Sequence, residues 1–169
     1  MGILDTIKKR RSIRKYKDKQ VAWGHILELL EAGQFAPSAG NVQNWKCVVV
    51  RKEATKQKIA EACHQQEWIK DAPVHIVIVA EPGKAADFYG ERGETFYTIQ
   101  GCAAVIQNMM LAATDIGLGT CWIGAFDDHQ MGTILGLPET AVVQGIITLG
   151  YPDEQPVTPV RKELHTLTF

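Results

Sequence analysis

No stretch of this 169-residue chain is apolar for long enough to cross a membrane as a helix. The longest candidates, Val74–Ala80 and Val142–Leu149, are short and are broken by His75, Gln144 and Gly145. The N-terminus lacks the apolar core of a secretory signal, which argues against export. Met1–Thr6 satisfies a permissive myristoylation pattern, yet Ile3, Leu4 and Ile7 fit the core face of a short helix equally well. Cysteine is sparse: Cys47, Cys63, Cys102 and Cys121 lie far apart with no C-x-x-C pair. Thiols inside apolar segments behave as small hydrophobes, so the expectation is a reducing, cytoplasmic location. Metal-ligating pairs are also scarce. His64 and Glu67 stand three apart, no third ligand is near, and no metal site is expected. The net charge is only −1, so no broad basic field covers the molecule. Neither repeats nor low-complexity segments occur, and the length suits one domain over residues 1–169.

What charge there is lies in one place. Residues 8–19 carry eight Lys/Arg against the single acid Asp18, a local +7 that leaves −8 on the rest of the chain. Such a cluster suits one small anionic partner. A nucleic-acid surface normally needs a broad basic face with interleaved aromatics, and here only Tyr16 is interleaved. Arg10, Ser12 and Arg14 alternate, so in an extended chain they share a side. Two guanidiniums and a hydroxyl facing one way suit a phosphate; a solvated basic face is the alternative.

Periodicity predicts helices over Ile3–Arg11, Gly24–Phe35, Glu53–Glu67 and Glu94–Ile116, and a helix capped by Asp127 and Gln130 that ends at Leu137–Pro138. Strands are predicted over Cys47–Val50, Val74–Ala80, Thr120–Ile123 and Val142–Leu149, with near-continuously apolar Val74–Ala80 central. Glu81–Glu94 reads as a polar linker whose aromatics, Phe88 and Tyr89, could lid a site for a flat substrate. The helix from Glu94 has an apolar stripe through Ile99, Ala103, Ile106, Met110 and Ala113, with Val105, Met109 and Leu111 on other sides. A helix apolar over so much of its circumference needs cover on several sides, which points to a second subunit. Gly117 has the character of a left-handed helix terminator. Gly117-x-Gly119 is no dinucleotide fingerprint, because it follows a helix and the third position is Trp122. The tail beyond Asp153 carries Pro156, Pro159, Arg161 and Lys162, then Leu164–Phe169, extended by β-propensity.

Between the second helix and the first strand lies APSAGNVQNW, Ala36–Trp45. It is a ten-residue polar knot that offers Asn41 and Gln43, whose amides both donate and accept. Such a loop matches the edge of a ring with alternating carbonyl and N–H groups, although a plain change of chain direction needs residues of the same kind.

RRSIRKY (Arg10–Tyr16), APSAGNVQNW, GLGTCWIGAF (Gly117–Phe126) and LGYPDEQP (Leu149–Pro156), in this order, resemble the flavin-dependent nitroreductase family over nearly the whole chain. The resemblance implies an α+β fold with a central, mostly antiparallel sheet flanked by helices. It also implies an intertwined homodimer whose tails, from about residue 153, wrap the partner, with FMN at the subunit interface. Arg10, Ser12 and Arg161 would hold the FMN phosphate, with Arg11 helping nearby. Arg14 would stand by the pyrimidine edge, where a cation stabilises the reduced ring. Pro37, Ser38, Ala39 and Gly40 would line one side, and Asn41 and Gln43 would bond the ring's edge. From the other subunit, Gly124 N–H would donate to flavin N5 and Ala125 N–H to O4, with Trp122 and Ile123 behind. Asn44 stands where the family usually has Pro, which would loosen the loop. Gly124 replaces the Glu of some members, which would alter the substrates admitted. The implied activity is ping-pong hydride transfer from NADH or NADPH through the flavin to a nitroaromatic, quinone or other small acceptor. Flavin reductase, enone reductase, reductive dehalogenase or flavin-cleaving chemistry on the same scaffold is the alternative, and so is a non-enzymatic basic-patch protein.

Overall fold

The computed structural model describes residues 2–64 and 66–168. Its sheet has four strands, β1 (Trp45–Val50), β2 (Val74–Ala80), β3 (Gly119–Ile123) and β4 (Val142–Gly150), in the order β1-β2-β4-β3 with every pair antiparallel. All seven residues of β2 are buried, as an apolar run with neighbours on both edges and both faces must be.

Helices cover the sheet on two sides: α1 (Ile3–Lys9), α2 (Trp23–Gln34), α3 (Glu53–Ala62), α4 (Pro82–Arg92), α5 (Thr98–Asp115) and α6 (Asp128–Leu135). On one face, Ile26 and Leu29 of α2 and Val105, Ile106 and Met109 of α5 pack on Ile76, Ile78, Ile147 and Leu149. On the other, Ile59 of α3 and Met131 of α6 meet Val77, Val79, Ile123 and Ile146. Each such side chain contributes roughly 1.5–3 kcal/mol by leaving water. The α+β architecture is therefore as expected, and among the described residues no helix is long and apolar enough to span a membrane. The four thiols are unpaired.

Several local expectations fail. Glu81–Glu94 is not a linker: Pro82 takes the first position of α4, where its missing N–H costs nothing. A π turn, Gly93–Tyr97, follows, so α5 starts at Thr98 rather than Glu94. α3 stops at Ala62, not Glu67, because His64 adopts a left-handed φ of 54°. His64 and Glu67 hence share no helix, and no metal cluster forms among the described residues. On α5 the buried stripe runs through Cys102, Val105, Ile106, Met109 and Ala113, while Ile99 is 57% exposed. Gly33 of α2 sets that rotation by letting Met109 approach where a Cβ would stand 2.4 Å away. Leu164–Leu167 forms a 3-10 turn rather than extended chain, and Phe169 lies outside the described residues. In α1, Ile3, Leu4 and Ile7 face outward, and only Thr6 is buried, its hydroxyl donating to Asp115 at 3.0 Å.

His75 in β2 is fully buried; its Nε2 meets the Ile69 carbonyl at 2.7 Å and its Nδ1 has no partner. Burial first, and then the nearby Lys56 charge, pull the imidazole down from 6.5 to about 4. Between those values the unfolded chain binds a proton that the folded chain refuses. Stability is then full above about pH 6.5 and falls as the pH drops toward 4, by about 3 kcal/mol in all. Urea titrations at pH 7.5, 5.5 and 4.5 should show that slope, and His75→Gln should flatten it.

Candidate functional site

The arginines of residues 10–14 are presented by a segment that the sheet edge holds straight. After α1, Arg10 turns the chain at φ −54°, ψ 129°. Ser12 then forms a parallel bridge with Thr120, and Ile13 N–H donates to the Thr120 carbonyl at 2.9 Å. Gly119 makes this possible, since a Cβ there would stand 2.8 Å from Ile13 Cγ1. Farther along, Tyr16 bridges Pro152 and Lys17 N–H donates to the Tyr151 carbonyl at 2.9 Å. The Tyr16 hydroxyl donates to the Ile13 carbonyl at 2.5 Å and lies 2.7 Å from Thr148 Oγ1. Burial raises its pKa, so it stays a neutral strut. Glu154 closes the arrangement by accepting from the Arg14 and Lys15 backbone N–H groups at 2.5 and 3.0 Å.

The alternation expected of an extended strand is met only in part: Ile13 turns inward, but Arg11 faces the same side as Arg10, Ser12 and Arg14. Arg10, Arg11, Ser12 and Arg14 line one cavity of about 400 Å³, and Arg161 joins them from the tail together with Pro156, Val157 and Pro159. Arg11 is committed to the protein itself. It donates to the Lys8 and Arg10 carbonyls at 2.6 and 2.7 Å and to the Thr158 hydroxyl, which ties α1 to the tail. Arg10, Arg14 and Arg161 form no ion pair with any carboxylate among the described residues. Glu154 spends its carboxylate on the backbone of this segment, so the three guanidiniums face one cavity unpaired and repel one another, which an oxyanion relieves. The Arg14 guanidinium lies over the Trp68 ring, 5.6 Å from its centroid. Sequence reasoning missed Trp68. It is an isolated aromatic with no motif around it, and only the 3-10 turn Glu67–Asp71 brings it to Arg14.

The polar knot is strained and braced. Gly40, Asn41 and Gln43 all have left-handed φ, at 55°, 56° and 50°, a conformation that costs non-glycine residues about 1 kcal/mol or more each. Asn41 N–H donates to the Ser38 carbonyl at 3.0 Å and Gln43 N–H to Ser38 Oγ at 3.1 Å. Asn44 is no weak point. It is buried, its side-chain amide donates to Thr98 Oγ1 at 2.8 Å, and its backbone carbonyl accepts from Glu81 N–H at 2.8 Å. A buried side-chain bond here replaces the stiffness that proline would have supplied. The amides of Asn41 and Gln43 are left in exposed positions. Pro37, Ser38 and Ala39 line a second cavity of about 300 Å³ with Tyr97, Gln100 and Gly101 of the π turn and α5. The Tyr89 hydroxyl abuts Gly40, where a Cβ would come within 2.3 Å of it.

At the end of β3, Trp122 is 39% exposed and lies against Gly145, Ile123 is buried, and Gly124 and Ala125 are open to solvent. Nothing stands within 4 Å of where a Gly124 side chain would be. Ser12, bridged to Thr120, ties the arginine cradle to this strand. The cradle and the knot line separate cavities of the one chain.

Known proteins resemble this chain in sequence and fold. An NADH dehydrogenase of Thermus thermophilus is 32% identical over 174 residues, covering 87% of this chain and 85% of its own. An FMN reductase [NAD(P)H] of Bacillus subtilis is 29% identical over 90% of this chain and 67% of its own. Among solved structures, the NADPH:FMN oxidoreductase of Vibrio harveyi complexed with NAD+ superposes with a TM-score of 0.90 at 25% identity, covering 99% of this chain and 76% of that one. The nitroreductase family model matches residues 7–68 and 62–151, the span that holds every strand and the arginine segment, and the chain belongs to that family.

Proposed function

We propose that the chain is an NAD(P)H-dependent flavin oxidoreductase that binds FMN between two copies of itself and reduces a small acceptor such as a nitroaromatic or quinone. The observation that carries this reading is the convergence of Arg10, Ser12, Arg14 and Arg161 on one cavity whose lining residues include no carboxylate, with none of the three guanidiniums ion-paired among the described residues. That donor set fits a phosphate monoester, and the two exposed amides of the knot fit the polar edge of an isoalloxazine. Bound there, FMN supplies a ring that accepts hydride from NADH or NADPH and yields two electrons to the acceptor in a ping-pong cycle.

The residues of the chain do the holding. Arg10, Ser12 and Arg161 bind the phosphate, and Arg11 fixes the cradle by joining α1 to the tail. Arg14, steadied over Trp68, places positive charge by the pyrimidine edge, where it favours the reduced, anionic form. Asn41 and Gln43 orient the ring, lined by Pro37, Ser38, Ala39 and Gly40. Backbone N–H groups of the exposed Gly124 and Ala125 donate to it, with Trp122 and Ile123 behind. No general acid is needed, since water can provide the protons; positioning and electrostatics do the work.

Dimerisation is supported by apolar surface that one chain leaves uncovered: Ile3 and Leu4 of α1, Leu27 of α2, Phe35, and Val157, Val160 and Leu164 of the tail. The unpaired thiols support a reducing, cytoplasmic setting.

The purified protein should be yellow, sediment as a dimer, and lose its visible band when NADH or NADPH is added without oxygen. A colourless protein that takes up no added FMN in equilibrium dialysis would end this reading.

A further inference from the structure

We infer that Arg92, at the end of α4, is a second phosphate-recognition point that engages a phosphate of the nicotinamide dinucleotide; this rests on the donor-dependent activity proposed above. Its guanidinium lies 4.6 Å from the centroid of the Phe96 ring and 5.3 Å from that of Tyr97, and its Nε donates to the Tyr97 hydroxyl at 3.1 Å. A surface arginine normally samples many rotamers, whereas this one is held by two rings and a hydrogen bond. The bond spends one of five N–H donors, and the two terminal NH2 groups remain as a planar fork suited to phosphate oxygens. Glu91 and Glu94 stand nearby in the chain, but among the described residues Arg92 forms no ion pair.

The platform under Arg92 is tied to the knot. Tyr97 lines the same cavity as Pro37, Ser38 and Ala39. Tyr89 meets Tyr97 edge-on at 5.3 Å and sets its hydroxyl against Gly40. The cation is thereby fixed one side chain away from the knot cavity, and it is no part of the cradle of Arg10, Ser12 and Arg161. One cradle accounts for the single phosphate of FMN. A second held cation at the rim of the knot calls for a second anion, and the dinucleotide donor brings the pyrophosphate of both NADH and NADPH and the 2′-phosphate of NADPH alone. The π turn places Arg92 and both its rings together, and such turns recur at functional sites.

The test compares steady-state kinetics of wild type, Arg92→Ala and Arg92→Lys with each donor, beside calorimetric titration of adenosine 2′,5′-bisphosphate and of ADP. Arg92→Ala should raise the KM for donor about 10-fold, leave kcat within twofold and keep the FMN content, and Arg92→Lys should lie between. A rise for NADPH alone, with lost affinity for the bisphosphate alone, assigns Arg92 to the 2′-phosphate. A rise for both donors, with lost affinity for both nucleotides, assigns it to the pyrophosphate. Unchanged KM values, a fall in kcat alone, or loss of FMN from the variant would overturn the inference. A wild type that oxidises neither donor would instead sink the parent reading.

Discussion

Replacing Arg10 and Arg161 together by alanine is expected to weaken FMN binding by roughly 100-fold or more. A hydrogen bond to a charged group is worth about 1.5–3 kcal/mol, and every 1.4 kcal/mol is tenfold in affinity. The lower figure applies to each arginine, because Arg10 is only half-buried and Arg161 is exposed in the single chain. Two losses of about 1.5 kcal/mol give about 3 kcal/mol, close to 150-fold. The two side chains come from opposite ends of the sequence and face one cavity, so the single variants should each cost about tenfold and couple through the shared phosphate. Fluorescence quenching of FMN on titration with protein measures this directly. Raising the ionic strength should weaken the wild type more than the double variant, because screening acts on charges the variant lacks. Affinities within twofold of wild type for both single variants would remove the cradle from the proposal.

The second large effect concerns Gly93 and is one of stability. Its backbone is ordinary helix at φ −66°, ψ −47°, so glycine is not required there for its dihedral freedom. It is required for space: a Cβ would stand 2.2 Å from the Ala85 carbonyl oxygen and 2.9 Å from Tyr89 Cβ. Because the blocking atom is backbone, it cannot swing aside, and the π turn must move away from α4. Gly93→Ala should cost about 2–3 kcal/mol, lowering Tm by about 5–10 °C for a chain of this size. Gly83, in the first turn of α4, has nothing within 4 Å of its would-be Cβ. Gly83→Ala should therefore stabilise by a few tenths to about 1 kcal/mol through helix propensity. Calorimetric scans of the pair read both signs at once. Two variants of equal Tm would show that α4 does not double back on the turn as described.

The contrast between those glycines also explains why composition alone makes residues 81–94 resemble a linker. Pro82, Gly83, Gly90 and Gly93 are all breakers by composition, yet Pro82 and Gly83 sit where a helix tolerates them and Gly93 where a close packing needs it. Only Gly90, at φ 57° and ψ −148°, acts as a true break. In β2, by contrast, the apolar run matched both ends of the strand, because burial on all sides leaves no choice of register or face. The buried stripe on α5 is rotated from the one its periodicity suggests, because periodicity shows that a helix has an apolar side without showing what lies against it. Ile99 and Ile3 are apolar residues that one chain leaves uncovered.

By itself the sequence determined the α+β class, the position of every strand, the concentration of cations at residues 8–19 and, through its four ordered motifs, the family. These follow from local periodicity and from side-chain chemistry fixed along the chain. Only the tertiary structure decided that Arg11 is spent on the Lys8 and Arg10 carbonyls and on Thr158, that Trp68 lies under Arg14, that Asn44 braces the knot in place of proline, and that Arg92 is held on Phe96 and Tyr97. Each depends on how helices and strands distant in sequence pack together. That packing is set by the fit of large and small side chains, such as Met109 against Gly33 and Ile13 against Gly119, and no local pattern records it.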